Sequence, residues 1–311
     1  MCAKKLHELF SSFPFEFSPT ETPDILVTGI AIDSRVVRPG DIFVAMRGGS
    51  VDGHDYIPMA IDRGAVAVLG QKDMANLAIP YICVEEPRQS LTYLAAAFYD
   101  WPGRKLTVIG VTGTDGKTTT CNLVYQILAA AGFKTGMIST VNAVIGNEVL
   151  DTGFHVTTPD AHDVQRYLAR MVDAGLTHVV LETTSHGLAQ HRVDACEFDI
   201  GVVTNITHEH LDEHGSYENY RAAKSRLFSN LDKTSPKPQG NPRLAIINRD
   251  DQSFDFLNDF VKVNKVAYGM SADADVRAID IGYSPEGMQF VAEHKRFRVG
   301  IKANLIGQYN V

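Results

Sequence analysis

The chain has 311 residues, a formal net charge of −8, 44% hydrophobic residues and 21% charged residues. At roughly 100–200 residues per domain that length predicts two domains, and the composition excludes a disordered chain, because enough apolar surface is present to offset the entropy of ordering. The excess of Asp and Glu over Lys and Arg argues against broad nucleic-acid binding, which rests on clustered positive charge, and leaves small anionic substrates open.

The four cysteines, Cys2, Cys83, Cys121 and Cys196, show no CxxC spacing, so neither a disulfide framework nor a thiolate zinc site is expected. The start MCAKKLHELF has no apolar signal core, and no run of about 18 apolar residues follows anywhere. The expectation is a cytoplasmic protein that spans no membrane.

Residues 24–104 mix short apolar runs (Ile25 to Val27, Ile42 to Ala45, Val66 to Leu69, Tyr81 to Val84) with turn signals, and Tyr56 to Arg63 has helical spacing closed by Gly64. This predicts a small N-terminal α/β domain. A helix near Leu91 to Phe98 is followed by the breaker cluster Trp101-Pro102-Gly103-Arg104, which sets a boundary between domains at 1–104 and 105–311. Beyond it, strands at Leu106 to Val111, Thr135 to Ser139, Thr177 to Leu181 and Asp199 to Asn205 alternate with helices at Thr118 to Ala131, Ala161 to Ala174 and Tyr217 to Leu231. Further strand signals lie at Leu244 to Ile247 and Val266 to Tyr268, after a polar Pro-rich loop at 233–242. Such alternation predicts an α/β fold with a mostly parallel, doubly wound sheet, whose ligands sit at the carboxyl ends of strands.

The strongest local signal is Gly110-Val111-Thr112-Gly113-Thr114-Asp115-Gly116-Lys117-Thr118, between a strand and a helix. Backbone N–H groups of such a loop and the positive end of the helix dipole cradle a polyphosphate; Lys117 can reach the β- and γ-phosphates and the Thr118 hydroxyl can hold Mg²⁺. The strict GxxxxGK[ST] pattern fails, because Val111 stands where its first Gly belongs, and a tight turn without ligand is the plainer alternative. Glu182 follows an apolar strand, where a carboxylate suits Mg²⁺.

His208, His210 and His214 fall within seven residues of one another, which suggests zinc, but no fourth ligand stands at convincing spacing. For His208 and His214 the plainer reading is capping of the turn. Lys224, on the helix after them, reads as a solvated surface charge.

TGTDGKTTT (112–120), LETTSHGL (181–188) with QHRV (190–193), TNITHEHLDEHGSYENYRAAKSRLF (204–228) and DSRVVRPGDIFVAMRG (33–48) with DGHDYI (52–57) together resemble the Mur ligase family. The resemblance implies an N-terminal UDP-sugar-binding domain and a central ATPase domain. It implies ATP-dependent amide-bond formation through an acyl phosphate, adding an amino acid, expected to be a diamino acid, to a UDP-N-acetylmuramoyl dipeptide in peptidoglycan synthesis. It assigns Gly113, Thr114, Asp115, Gly116, Lys117, Thr118 and Thr119 to ATP, and Thr118, Glu182, His210 and a carbamylated Lys224 to Mg²⁺. Thr157, Thr158, Ser185, Gln190 and Arg192 are implied to hold the muramoyl-peptide, and Ser34, Arg35, Arg47 and Gly48 the nucleotide end.

Thr183-Thr184 and Glu209 depart mildly from the family pattern. The family's third domain is expected to be absent, the chain alone to be inactive and a monomer to form. The alternatives are a folylpolyglutamate synthase, another Mur-type ligase, or a non-catalytic module that holds UDP-muramoyl-peptide or ATP. A P-loop kinase or motor is disfavoured because no arginine-finger or lid segment is recognisable.

Overall fold

The computed structural model describes residues 3–15, 17, 23–49, 51–74, 76–151, 158–207, 209, 214–305 and 307. They form two compact units: Met1–Gly103 with Pro159–Arg170 and Gln190–Cys196, and Arg104–Thr158 with Met171–Ala189 and Glu197–Val311. Two stretches beyond residue 104 thus belong to the first unit, where the sequence suggests one cut. The bonds that place them there are long-range ones: the Thr92 hydroxyl donates to the His191 carbonyl at 2.5 Å, and the Tyr99 hydroxyl lies 3.1 Å from His162 Nε2. No local pattern announces such pairs.

In the first unit β1 (Lys4–Lys5) pairs antiparallel with β2 (Leu26–Val27), around the short helix α1 (Leu6–Phe10). A parallel sheet follows in spatial order β3 (Gly29–Ala31), β4 (Asp41–Val44), β5 (Ala67–Gly70) and β6 (Tyr81–Cys83). Alternation along β4 builds two apolar layers, as the period of a strand requires. Ile42 and Val44 join Leu69, Ile82 and Leu94 in one; Phe43 joins Val68 and the residues Ile57 and Ala60 of α2 (Ile57–Asp62) in the other. Helix α3 (Pro87–Phe98) starts earlier than its apolar spacing suggests, because Pro87 sits at its first position, where a missing N–H costs nothing and φ is preset.

The second unit is one sheet in the order β10-β9-β8-β11-β7-β12-β13-β14-β15-β16-β17, where β7 is Thr107–Thr112, β8 Thr135–Ile138, β9 Asn142–Ile145, β10 Glu148–Asp151, β11 His178–Glu182, β12 Ile200–Val203, β13 Leu244–Asn248, β14 Asn264–Gly269, β15 Val276–Ser284, β16 Gly287–His294 and β17 Phe297–Ala303. From β8 to β15 every pairing is parallel; β10-β9-β8 and β15-β16-β17 are antiparallel. The expected parallel, doubly wound core is present, and the antiparallel borders are additions to it.

The two faces of β7 separate the main helices. Ile109 and Val111 cluster with Cys121 of α4 (Lys117–Ala130), whereas the intervening Gly110 faces Phe198 and Leu227. Helix α5 (Ala161–Asp173) and the short α6 (Ser185–Ala189) precede α7 (Tyr217–Lys233), which carries Leu227, and α8 (Phe254–Phe260) lies between β13 and β14. Ser216 caps α7 by accepting the Asn219 N–H at 3.2 Å. Among the described residues no helix is long and apolar enough to cross a membrane.

The polar loop after α7 buries a charge. Lys237, fully buried, donates from Nζ to the Leu106 carbonyl at 2.9 Å, the Glu197 carbonyl at 2.5 Å and Asp199 Oδ2 at 2.5 Å. That carboxylate oxygen also accepts the Val108 N–H at 2.7 Å, so one ion pair ties the loop to the amino-terminal ends of β7 and β12. Burial pushes the Asp199 carboxyl above its usual range against the opposing pull of Lys237. Removing one member of such a pair strands the other's charge, at about 3–5 kcal/mol. Lys237→Met is therefore expected to lower the urea midpoint by a corresponding amount with the transition slope unchanged.

Candidate functional site

The carboxyl ends of β11, β7 and β12 lie side by side, because Glu182 is in register with Val111 and Val203 with Thr112. β7 runs into the loop 113–116 and α4 starts at Lys117, so the loop's N–H groups and the helix start face one place. Gly116 has φ +75°, a left-handed conformation that Gly adopts without penalty. A Cβ on Gly113 would collide with the Thr204 hydroxyl, which fixes Gly there by close approach.

The segment leaving β12 straps the loop down. Thr114 donates its N–H to the Asn205 carbonyl at 2.8 Å, Asp115 its N–H to Asn205 Oδ1 at 2.9 Å, and the Thr204 hydroxyl donates to the Asp115 carbonyl at 2.6 Å. The Thr207 N–H donates to Thr114 Oγ1 at 2.9 Å, and the Tyr220 hydroxyl lies 3.1 Å from that same atom. Lys117 Nζ donates to the Thr114 carbonyl at 2.6 Å, folded over its own loop. Thr119 is exposed on α4.

Glu182 is 1% exposed, and both its oxygens accept from the Thr118 hydroxyl at 3.0 and 3.1 Å. Hard oxygen donors of this kind suit Mg²⁺, which takes few protein ligands and completes its shell with phosphates and water. Among the described residues no group of three or more His, Cys, Asp or Glu is placed to hold a metal alone. His208 and His210, like Thr157, lie outside the described residues.

Lys224 overturns its surface reading. It is 1% exposed on α7, donates from Nζ to the Gly113 carbonyl at 2.5 Å and lies 4.5 Å from the Tyr220 ring centroid. Burial, with the Lys117 charge added, brings its amine down to about 7. His214 also does more than cap its turn, since Nε2 lies 3.1 Å from the Ser185 hydroxyl. Thr158 is buried beside them, its Oγ1 accepting the Thr184 N–H at 3.1 Å.

The remaining candidates belong to the first unit. Ser34 and Arg35 follow β3, and Arg47 and Gly48 follow β4, so both pairs stand at carboxyl ends of neighbouring parallel strands. The Asp33 carboxylate grips the Arg35 side chain at 2.7–3.1 Å, and that hydrogen bond holds Asp33 below the usual carboxylate range. Arg88, which the sequence did not single out, donates to the Arg47 carbonyl at 3.0 Å. Arg192 donates to Gln190 Oε1 at 2.8 Å and lies 3.4 Å from Asp160, with burial lowering its guanidinium pKa.

Sequence reasoning missed Tyr220, Thr140 and Asp251. Thr140 donates to Glu182, and Asp251 accepts the Ile206 N–H at 3.1 Å. Asp251 lies three residues past the end of β13, so a carboxylate just beyond a strand was its available signal; Tyr220, four residues before Lys224 on one helix face, had helical spacing.

Residues 111–311 match the Mur ligase middle domain, and residues 26–99 the catalytic domain of the Mur ligase family. The chain belongs to the Mur ligase family. It is 37% identical over 308 residues to a UDP-N-acetylmuramoyl-L-alanyl-D-glutamate–2,6-diaminopimelate ligase of Geobacillus thermodenitrificans, covering 99% of this chain and 62% of that protein. It is 39% identical over 319 aligned positions to a UDP-N-acetylmuramyl-tripeptide synthetase of a Roseiflexus species, with the same two coverages. A solved structure of a UDP-N-acetylmuramoyl-L-alanyl-D-glutamate–2,6-diaminopimelate ligase superposes with a TM-score of 0.84 at 26% identity, over 99% of this chain and 61% of that one. The chain thus spans about 62% of the length of these curated relatives.

The lowered Lys224 amine has a consequence for stability. Below pH 7 folded and unfolded chains both carry the proton and the cost of burying the charge is fully present; between about 7 and the ordinary 10.5 the folded chain is neutral while the unfolded chain still binds it. Stability therefore rises with pH across that window. Lys224→Met removes the cost, so its gain over the unsubstituted chain is expected to be largest at pH 6 and to shrink by about 1.4 kcal/mol per pH unit above 7. Urea unfolding at pH 6 and 9 in CO₂-depleted buffer measures it, and a gain equal at both would contradict the assignment.

Proposed function

We propose that this chain carries the UDP-muramoyl-peptide and ATP sites of a ligase that adds a diamino acid to UDP-N-acetylmuramoyl-L-alanyl-D-glutamate. The observation that carries this reading is the coverage of 99% of the chain by relatives named as the 2,6-diaminopimelate-adding ligase, which spans the strand-end loop and the Glu182 and Lys224 sites together. Solved structures of another Mur-type ligase and of FolC share the fold at 19–20% identity, which carries no activity to this chain.

In the reading, the loop N–H groups from Gly113 to Thr118 and the Lys117 ammonium take the phosphates, so Lys117 must leave the Thr114 carbonyl. Thr118, Glu182, His210 and Lys224 would hold Mg²⁺, which neutralises phosphate charge when bound. The dipeptide's terminal carboxylate attacks the γ-phosphorus and the bond to the ADP oxygen breaks. The amine of the diamino acid then attacks the acyl phosphate, loses a proton and expels phosphate. The chain's own contribution is orientation and electrostatic stabilisation of groups that develop charge. Thr158 and Ser185, with Thr157, Gln190 and Arg192, would bind the muramoyl-peptide, and Ser34, Arg35, Arg47 and Gly48 the uridine nucleotide.

Calorimetric titration with UDP-N-acetylmuramoyl-L-alanyl-D-glutamate is expected to give saturable binding, and Mg-ATP is expected to bind the unsubstituted chain but not Lys117→Ala, in which no cation of the loop reaches the phosphates. Failure of the UDP-muramoyl dipeptide to bind, or unchanged Mg-ATP affinity in Lys117→Ala, overturns the reading.

Carbamylation of Lys224 belongs to the same proposal. The neutral amine adds to CO₂, an N–C bond forms and a proton leaves, turning a cation into a carboxylate that no longer repels Mg²⁺. The amine's value of about 7 supports it, since the nucleophilic form is available at neutral pH. With ¹³C-bicarbonate the chain is expected to give a carbamate resonance that Lys224→Arg lacks; a resonance present in both would place the carbamate elsewhere.

A further inference from the structure

We infer that Thr140 is a positioning residue for Glu182, committing that carboxylate to a single contact with the metal of the nucleotide site. The inference rests on the Mg-ATP reading and adds to it a residue outside the phosphate loop and outside every motif of the chain. Its basis is register. β8 and β11 are parallel neighbours with Ile138 opposite Leu181, so Glu182, the last residue of β11, and Thr140, two residues past the end of β8, emerge together.

Thr140 approaches Glu182 twice. Its hydroxyl donates to Oε1 at 2.9 Å and its backbone N–H donates to Oε2 at 3.1 Å. The turn that presents it is itself held. Ser139 donates its N–H to the Asn142 carbonyl at 2.9 Å, and its hydroxyl oxygen accepts the N–H groups of Val141 and Asn142 at 3.3 Å. Thr140 therefore reaches the carboxylate from an anchored hairpin between β8 and β9.

A carboxylate offers about four acceptor directions. Among the described residues three donor hydrogens meet these directions, Thr140 O–H on Oε1, Thr140 N–H on Oε2 and Thr118 O–H shared between both oxygens, so a cation that takes one direction confines the Thr118 hydrogen to the other oxygen. Glu182 is 1% exposed, so water cannot freely rearrange this pattern. A carboxylate so held would offer a metal one oxygen; released on the Thr140 side, it could rotate and offer two. Mg²⁺ demands near-ideal octahedral geometry and tolerates such rotation poorly.

The test compares Thr140→Val, which removes the hydroxyl at nearly constant volume, with Thr140→Ser, which restores it. Affinity for ATP is measured by calorimetry with Mg²⁺ and again in EDTA, and Mn²⁺ binding in the presence of ATP by electron paramagnetic resonance. Loss of one hydrogen bond to a charged group is expected to weaken Mg-ATP and Mn²⁺ binding in Thr140→Val by about ten- to one-hundredfold. ATP affinity in EDTA stays unchanged, and Thr140→Ser recovers most of the loss.

Unchanged Mg-ATP affinity in Thr140→Val overturns the inference, and so does an equal loss with and without metal, since that would make Thr140 a support of the loop. A Thr140→Val chain with a depressed melting temperature is judged through Thr140→Ser against Thr140→Ala, which carry the same arms. Lack of any metal-dependent ATP binding in the unsubstituted chain overturns the Mg-ATP reading together with this one, so the two failures are distinguishable.

Discussion

The parallel register of β11, β7 and β12 is the constraint on which the candidate site depends. Leu181 stands opposite Gly110 and Val202 opposite Val111, so three chain segments leave the sheet at one level. The Glu182 side chain, the loop 113–116 and the segment 204–207 meet for that reason alone. A slip of one residue in β11 would turn Glu182 to the opposite face, because side chains alternate along a strand. The small and apolar residues of β7 protect this register by filling both faces of the sheet, Ile109 and Val111 on one and Gly110 against Phe198 and Leu227 on the other.

Buried charge is handled in two opposite ways at the two ends of these strands. At the amino-terminal end Lys237 and Asp199 neutralise each other and draw in backbone carbonyl and N–H groups, which is the pattern of a structural clamp. At the carboxyl end Glu182 and Lys224 are each nearly inaccessible, yet their hydrogen-bond partners are neutral: threonine hydroxyl and N–H groups for Glu182, the Gly113 carbonyl for Lys224. Burying a charge whose hydrogen-bond partners among the described residues are all neutral is costly, and the arrangement is maintained beside the loop 113–116. The lowered Lys224 amine expresses that cost directly.

The loop 113–116 does not hold its shape alone. Its hydrogen bonds run to Thr204, Asn205 and Thr207 and to Tyr220, while Asp251 and Gln252 support that segment from behind through the Ile206 N–H and carbonyl. Tyr268 adds a bond from its hydroxyl to the Val203 carbonyl at 3.1 Å, and burial pushes its phenol well above the ordinary value. Residues that follow β13 and residues on β14 and α7 thereby act on the loop 113–116 directly or through the segment 203–207.

The sequence by itself determined the alternating α/β order, the central helices and parallel strands, the Gly-rich loop between β7 and α4 and the strand-end position of Glu182, because these follow from periodicity and from glycine placement within a few residues. Family resemblance added Lys224, which spacing alone assigns to the surface. Tertiary structure decided the rest. β9 alternates over only four residues, and β10, β15 and β17 carry exposed or half-exposed residues on both faces, so the alternation of these borders is too short or too weak to read. The places of 159–170 and 190–196 in the first unit depend on bonds such as Thr92 to His191, which span 99 residues. Thr140 and Asp251 gain their roles only when neighbouring strands align in register, and Lys237 becomes a buried cation only when its loop closes over Asp199. These are long-range pairings, whose partners are chosen by the packed fold and leave no mark in the local chain.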